Sequence, residues 1–122
     1  FNENKNFKMT FKVATSGIGS IGFSKESEVR TNDYTYTNGI YKLYFQESYL
    51  RLVYDGATTY IGRVFDNDLI GIVRQGNEIW ATKNNEEILD SRKNFSSNEA
   101  LIFFFESAQY NPNISELEIN FF

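Results

Sequence analysis

Tyr49-Leu50-Arg51-Leu52-Val53-Tyr54-Asp55-Gly56-Ala57-Thr58-Thr59-Tyr60-Ile61-Gly62-Arg63 holds two segments rich in β-formers, Tyr49 to Tyr54 and Thr58 to Arg63, on either side of Asp55-Gly56. Asp-Gly supplies the positive φ angles of a tight hairpin turn, so the two segments are expected to pair antiparallel. Working outward, Ile40 to Phe45 reads as a strand that follows the turn dipeptide Asn38-Gly39. Beyond Asp66-Asn67, Leu69 to Arg74 and Glu78 to Lys83 flank Gln75-Gly76-Asn77 as a second hairpin, and Asn84-Asn85 forms a further turn. Strand-length segments therefore recur about every ten residues, the rhythm of an all-β fold.

The flanks extend the pattern. Phe7, Met9, Phe11 and Val13 alternate with Lys8, Thr10 and Lys12, which places the apolar set on one face of a strand. Ile21 and Phe23 form a short inward-facing pair among Gly17, Gly19 and Gly22, and Val29 to Gly39 reads as a long loop carrying Tyr34 and Tyr36. Leu101 to Phe105 is apolar on both faces, which predicts a central, doubly covered strand. Leu117, Ile119 and Phe121 alternate with Glu118 and Asn120 at the chain end. With Lys8 and Lys12 outward on the first strand and Glu118 outward on the last, these two are expected to be antiparallel neighbours. No stretch has helical apolar spacing; Asn84 to Asn94 has room for a short helical turn only. A sandwich or barrel follows, and the sandwich is preferred.

With 122 residues, 41% apolar and one proline, the chain is read as a single domain spanning residues 1–122. The aromatic share of 17% suits pleated, half-buried surfaces. Absence of cysteine excludes disulfides, thiolate metal sites and thiol nucleophiles, and absence of histidine removes the commonest zinc ligand and general base. A net charge of −4 without a basic stripe argues against nucleic acid as a partner. Membrane insertion by a helix is not expected, because the longest apolar run, Ala100 to Phe105, falls far short of the roughly 20 residues needed. No signal-peptide pattern is visible after Phe1, and the chain reads as an excised or processed piece of something longer.

Two segments carry a resemblance. Gly19-Ser20-Ile21-Gly22-Phe23-Ser24 looks like a strand of small residues ending in Gly-aliphatic-Ser, and Asn67-Asp68-Leu69 through Lys83-Asn84-Asn85 looks like a Gly-Asp, strand, turn, strand, Lys-Asn-Gly signature. Both resemble the jelly-roll module of the concanavalin A-like lectin and glucanase superfamily, in the form found in bacterial surface and phage tail proteins. Asn67 and Asn85 stand where that family usually has glycine. The resemblance implies an antiparallel two-sheet β-sandwich of jelly-roll type that binds glycans or spaces adhesive proteins. Glucanase members carry paired acids in a form such as Glu-x-Asp-x-x-Glu, and no such segment occurs here.

No catalytic constellation stands out. A Ser/His/Asp triad is impossible without histidine, and Gly17-x-Gly19-x-x-Gly22 lacks the strand-to-helix context of a dinucleotide fingerprint. Asp66 and Asp68, with Asp55, offer oxygen ligands for calcium, but the set lacks a bidentate glutamate and reads as solvated turns, so no metal site or cofactor is expected. The Asn94-Phe95-Ser96 and Asn113-Ile114-Ser115 sequons read as coincidence in an Asn-rich chain. Aromatic side chains are the functional lead, because a sugar's apolar face stacks on a ring while amides and charges meet its hydroxyls. Burying Ile79 and Ala81 turns Trp80 outward, making it the chief candidate ligand-binding residue, with Asn84 or Tyr60 in reach and Tyr34 and Tyr36 as lesser candidates. The expectation is a non-catalytic binding or adhesion module of an extracellular or particle-surface protein, with a glycan as ligand and other domains of a longer chain as further partners. The alternative is a structural spacer or assembly domain of a surface adhesin or tail fibre, and a hydrolase is the third class.

Overall fold

Asp55 and Gly56 take φ of 47° and 81°, the two positive angles that a type I′ turn requires, and they join strands in the register the sequence implies. This computed structural model describes residues 6–13, 18–25, 40–95, 101–107 and 114–122. The strands are β1 (Phe7–Val13), β2 (Ile18–Lys25), β3 (Ile40–Gln46), β4 (Tyr49–Tyr54), β5 (Ala57–Arg63), β6 (Ile70–Gln75) and β7 (Glu78–Lys83). They are followed by the two-residue β8 (Glu86–Glu87) and β9 (Lys93–Asn94), then β10 (Leu101–Ser107) and β11 (Ile114–Phe121).

A six-stranded sheet runs β11-β1-β6-β7-β8, with β9 also on β7, and a five-stranded sheet runs β10-β2-β3-β4-β5. All pairings are antiparallel. The chain begins and ends in the six-stranded sheet and crosses to the other for β2 to β5 and again for β10. The expected all-β, two-sheet antiparallel sandwich of jelly-roll type is therefore the observed fold.

Alternation decides which side chains meet between the sheets. Phe7, Met9, Phe11 and Val13 of β1 are buried, as are Ile70, Ile72, Ile79 and Ala81 of the neighbouring strands. They face Ile21, Phe23, Tyr41, Leu43, Phe45, Leu50 and Leu52 of the five-stranded sheet in one apolar cluster. Phe7 and Phe23 join the sheets with ring centroids 4.6 Å apart, and Phe11 and Phe45 do so at 6.1 Å. Each such buried ring contributes about 1.5–3 kcal/mol of transfer free energy. Gly22 explains the small-residue motif: a Cβ there would lie 2.2 Å from the Tyr41 carbonyl oxygen, so β2 and β3 approach too closely for any side chain. Asn67 and Asn85 take φ of 74° and 67°, as tolerated αL residues.

Several expectations are revised. Among the described strands β10 lies at the edge of its sheet rather than at the centre, because an apolar pattern on both faces reports what covers a strand and not which strands flank it. Residues 84–94 hold turns and the short strands β8 and β9 instead of a helical turn. The first and last strands do pair, yet Lys12 meets Glu116 at 3.0 Å, while Glu118 lies opposite Thr10. An extra β11 residue between these pairs, with Glu116 at φ 55°, makes a bulge that changes the charge partner. The long loop carrying Tyr34 and Tyr36 lies outside the described residues.

Candidate functional site

Strand β7 alternates as expected: Ile79 and Ala81 are fully buried, and Trp80 points to the outer face of the six-stranded sheet opposite Val73. The indole face is not open, however. The Arg92 guanidinium carbon sits 3.7 Å from the ring centroid, held there by ion pairs to Glu87 at 2.5 Å and Glu78 at 3.3 Å. Hydrogen bonds from Arg92 draw the Glu87 carboxyl below its ordinary range, and Glu87 in turn raises Arg92. Trp80 is thus stacked by a fixed cation.

Asn84 is equally committed. At φ 52° it closes the turn after β7, its Oδ1 accepts the Leu69 amide at 2.9 Å, and its Nδ2 donates to Asp68 Oδ1 at 3.0 Å. Asp68 Oδ2 accepts the Phe65 amide at 2.9 Å, and this backbone bond, with the Asn84 contact and Lys83, holds its carboxyl below the usual value. The acid therefore acts as a loop clasp. Among the described residues no three acidic side chains gather as a metal site.

Tyr60 lies on the other side of the sandwich, on the outer face of the five-stranded sheet, and is 54% exposed. The structure therefore does not bring Trp80, Asn84 and Tyr60 together. Around Tyr60 it assembles a different set. Tyr44, Arg51 and Tyr60 are direct cross-strand neighbours on β3, β4 and β5, and Gln46, Tyr49 and Arg63 form the next row. With neighbouring strands about 4.8 Å apart, the lattice is about 10 Å wide, the scale of one or two sugar rings.

A bulge makes this lattice. The register passes from Leu50↔Gly62 to Arg51↔Tyr60, leaving Ile61 as an extra residue, so Tyr60 and Arg63, three apart in sequence, face the same side. Gly62 takes φ 138° to permit it. The rings of Tyr49 and Tyr60 are 6.1 Å apart, and Arg63 lies over Tyr49 at 4.9 Å and over Phe65 at 5.2 Å. Arg51 approaches the Tyr49 ring at 5.8 Å, and Arg63 donates from Nε and Nη2 to Ser48 Oγ at 3.2 and 2.5 Å. Tyr49 and Phe65 are 41% and 53% exposed, so the rings remain open to a ligand. Toward β2 the same face closes, with Ser20, Ser24, Lys42 and Val53 buried.

Of this set, sequence reasoning singled out Tyr60 alone. Tyr49 and Arg51 share the outward phase of β4 and were open to discovery there, whereas Arg63 falls in the inward phase unless the bulge is known. Ser91 was also missed: it is fully buried, its Oγ accepts the Ala81 amide at 3.0 Å and donates to Ile88 O at 2.7 Å, and its carbonyl accepts Tyr41 Oη at 3.0 Å.

No family model matches the chain, and no curated protein matches it. Among solved structures, sheep galectin-11 in complex with glycerol is similar over 94% of this chain and 90% of its own, with 9% identity and a TM-score of 0.47.

Proposed function

We propose that the chain is a non-catalytic glycan-binding module acting in an extracellular or particle-surface protein, alongside other domains of a longer chain. Its ligand lies on the outer face of the five-stranded sheet. The observation that carries this reading is the lattice of Tyr44, Tyr49 and Tyr60 interleaved with Arg51, Arg63 and Gln46, in which open rings offer stacking surface and the polar groups between them offer hydrogen bonds. None of these six side chains is a carboxylate, so the acid pair of glycosidic cleavage is not part of the surface. Trp80 and Asn84 are left out of the site, since Arg92 and Asp68 already engage them.

A glycan array followed by calorimetry tests the proposal. Binding to a defined sugar class should weaken by about 1–3 kcal/mol in Tyr60→Ala, the scale of losing one aromatic contact. Clean negatives across broad sugar classes would favour the spacer or assembly reading, and turnover of a polysaccharide would favour a hydrolase.

A further inference from the structure

The geometry points to a carboxylate-bearing sugar, a uronic or sialic acid unit, as the residue recognised on the Tyr44, Arg51, Tyr60 and Arg63 surface, an inference that rests on the glycan-binding reading. The chain carries 16 acids against 12 bases, so an arginine without an acidic partner is not the default. Ion pairs hold Lys12 and Arg92, and among the described residues no carboxylate pairs with Arg51 or Arg63. Arg63 is instead steered by the neutral Ser48 hydroxyl, which fixes the guanidinium without neutralising it. Arg51 lies 5.8 Å from the Tyr49 ring centroid, and its Nη1 is closed off from water with no hydrogen-bond partner among the described residues.

Two oriented cations on one face, with no acidic partner among the described residues, favour an anion. Partial desolvation by the rings strengthens that preference, and the planar guanidinium fork matches a carboxylate in a bidentate geometry. Stacking alone would serve a neutral sugar equally well, so the arginines add the selectivity and the tyrosines the sugar contact. The strip is short, two arginines rather than a track, which fits one charged sugar unit better than a polyphosphate backbone.

Calorimetry on the whole chain with 3′-sialyllactose against lactose, and with trigalacturonate against its methyl ester, tests the inference. At least one acid should bind tenfold or more tightly than its neutral counterpart, with the difference shrinking as sodium chloride is raised. R51Q and R63Q, checked for fold by circular dichroism, should each erase most of that difference, the loss falling more heavily on the acid than on its neutral counterpart, and R51K should restore part of it. Should R51Q not fold, R63Q reads the same quantity. Equal affinity for acid and neutral pairs would overturn the inference while leaving the glycan reading in place, and binding of no sugar would overturn both. Binding to sulfated lactose alone, to a polyglutamate peptide or to an oligonucleotide in preference to the carboxylated sugars would also overturn it.

Discussion

The guanidinium of Arg92 sits over Trp80 with its central carbon 3.7 Å from the indole centroid, and Glu78 and Glu87 both pair with it. A cation stacked in this way occupies the surface on which a sugar would rest. Replacing Arg92 by Ala should therefore uncover the chain's one tryptophan, shifting its emission to the red and raising its quenching by acrylamide. Glycan affinity should not change. Trp80→Ala should lower stability by about 1–2 kcal/mol through lost apolar contact, read from the urea midpoint, again without a change in affinity. A loss of binding in either variant would return the ligand to the six-stranded sheet.

Ser91 ties the segment after β7 to both sheets, through the Ala81 amide on one side and the Tyr41 hydroxyl on the other. Burial pushes the Tyr41 hydroxyl well above its ordinary value, so it stays a proton donor to the Ser91 carbonyl. Ser91→Ala strands the buried Ala81 amide and should cost about 1–3 kcal/mol. Urea titration followed by circular dichroism measures it, and a loss below a few tenths would mean that the amide finds another acceptor.

The Asp68 clasp gives a pH signature with a definite sign. Its folded-state pKa lies below the ordinary 3.8, so its contribution is present above that value and is lost as pH falls through the lower, folded-state pKa. Melting temperature should drop across that acid window. Asp68→Asn should be less stable near neutral pH and show a shallower acid decline, which thermal melts at a series of pH values would reveal.

Gly62 tests the bulge. At φ 138° an alanine is strained by about 1–3 kcal/mol, although its Cβ would meet nothing within 4 Å. Gly62→Ala should therefore either lose that stability or straighten β5, and straightening would turn Arg63 away from Tyr49. Glycan affinity should fall in the second case despite an intact surface sequence.

Much of the fold was legible because period-two alternation and turn chemistry agreed. The β1 pattern, the Asp55-Gly56 turn and the outward orientation of Trp80 each follow from local rules. What was not legible depends on register or on distant partners. Arg92 reaches Trp80 only because β8 and β9 fold back along β7. Arg74, fully buried on the inner face, donates to the Phe95 carbonyl at 3.0 Å, an arrangement no alternation rule anticipates for an arginine. The two bulges, near Glu116 and at Ile61, each shift side-chain phase by one residue, and so moved the Lys12 partner and gathered the candidate site unseen. Lateral order in a sheet is set by chain crossings rather than by composition, which is why β10 was misplaced.

The most direct test of the account is an amide chemical-shift titration of the isotope-labelled chain with a sugar that scores on the array. Saturable shifts should centre on Tyr44, Gln46, Tyr49, Arg51, Tyr60 and Arg63, with Trp80 and its indole signal unmoved. Shifts centred on Glu78, Trp80 and Thr82 on the opposite face, or none at ligand concentrations that saturate the array signal, would contradict it.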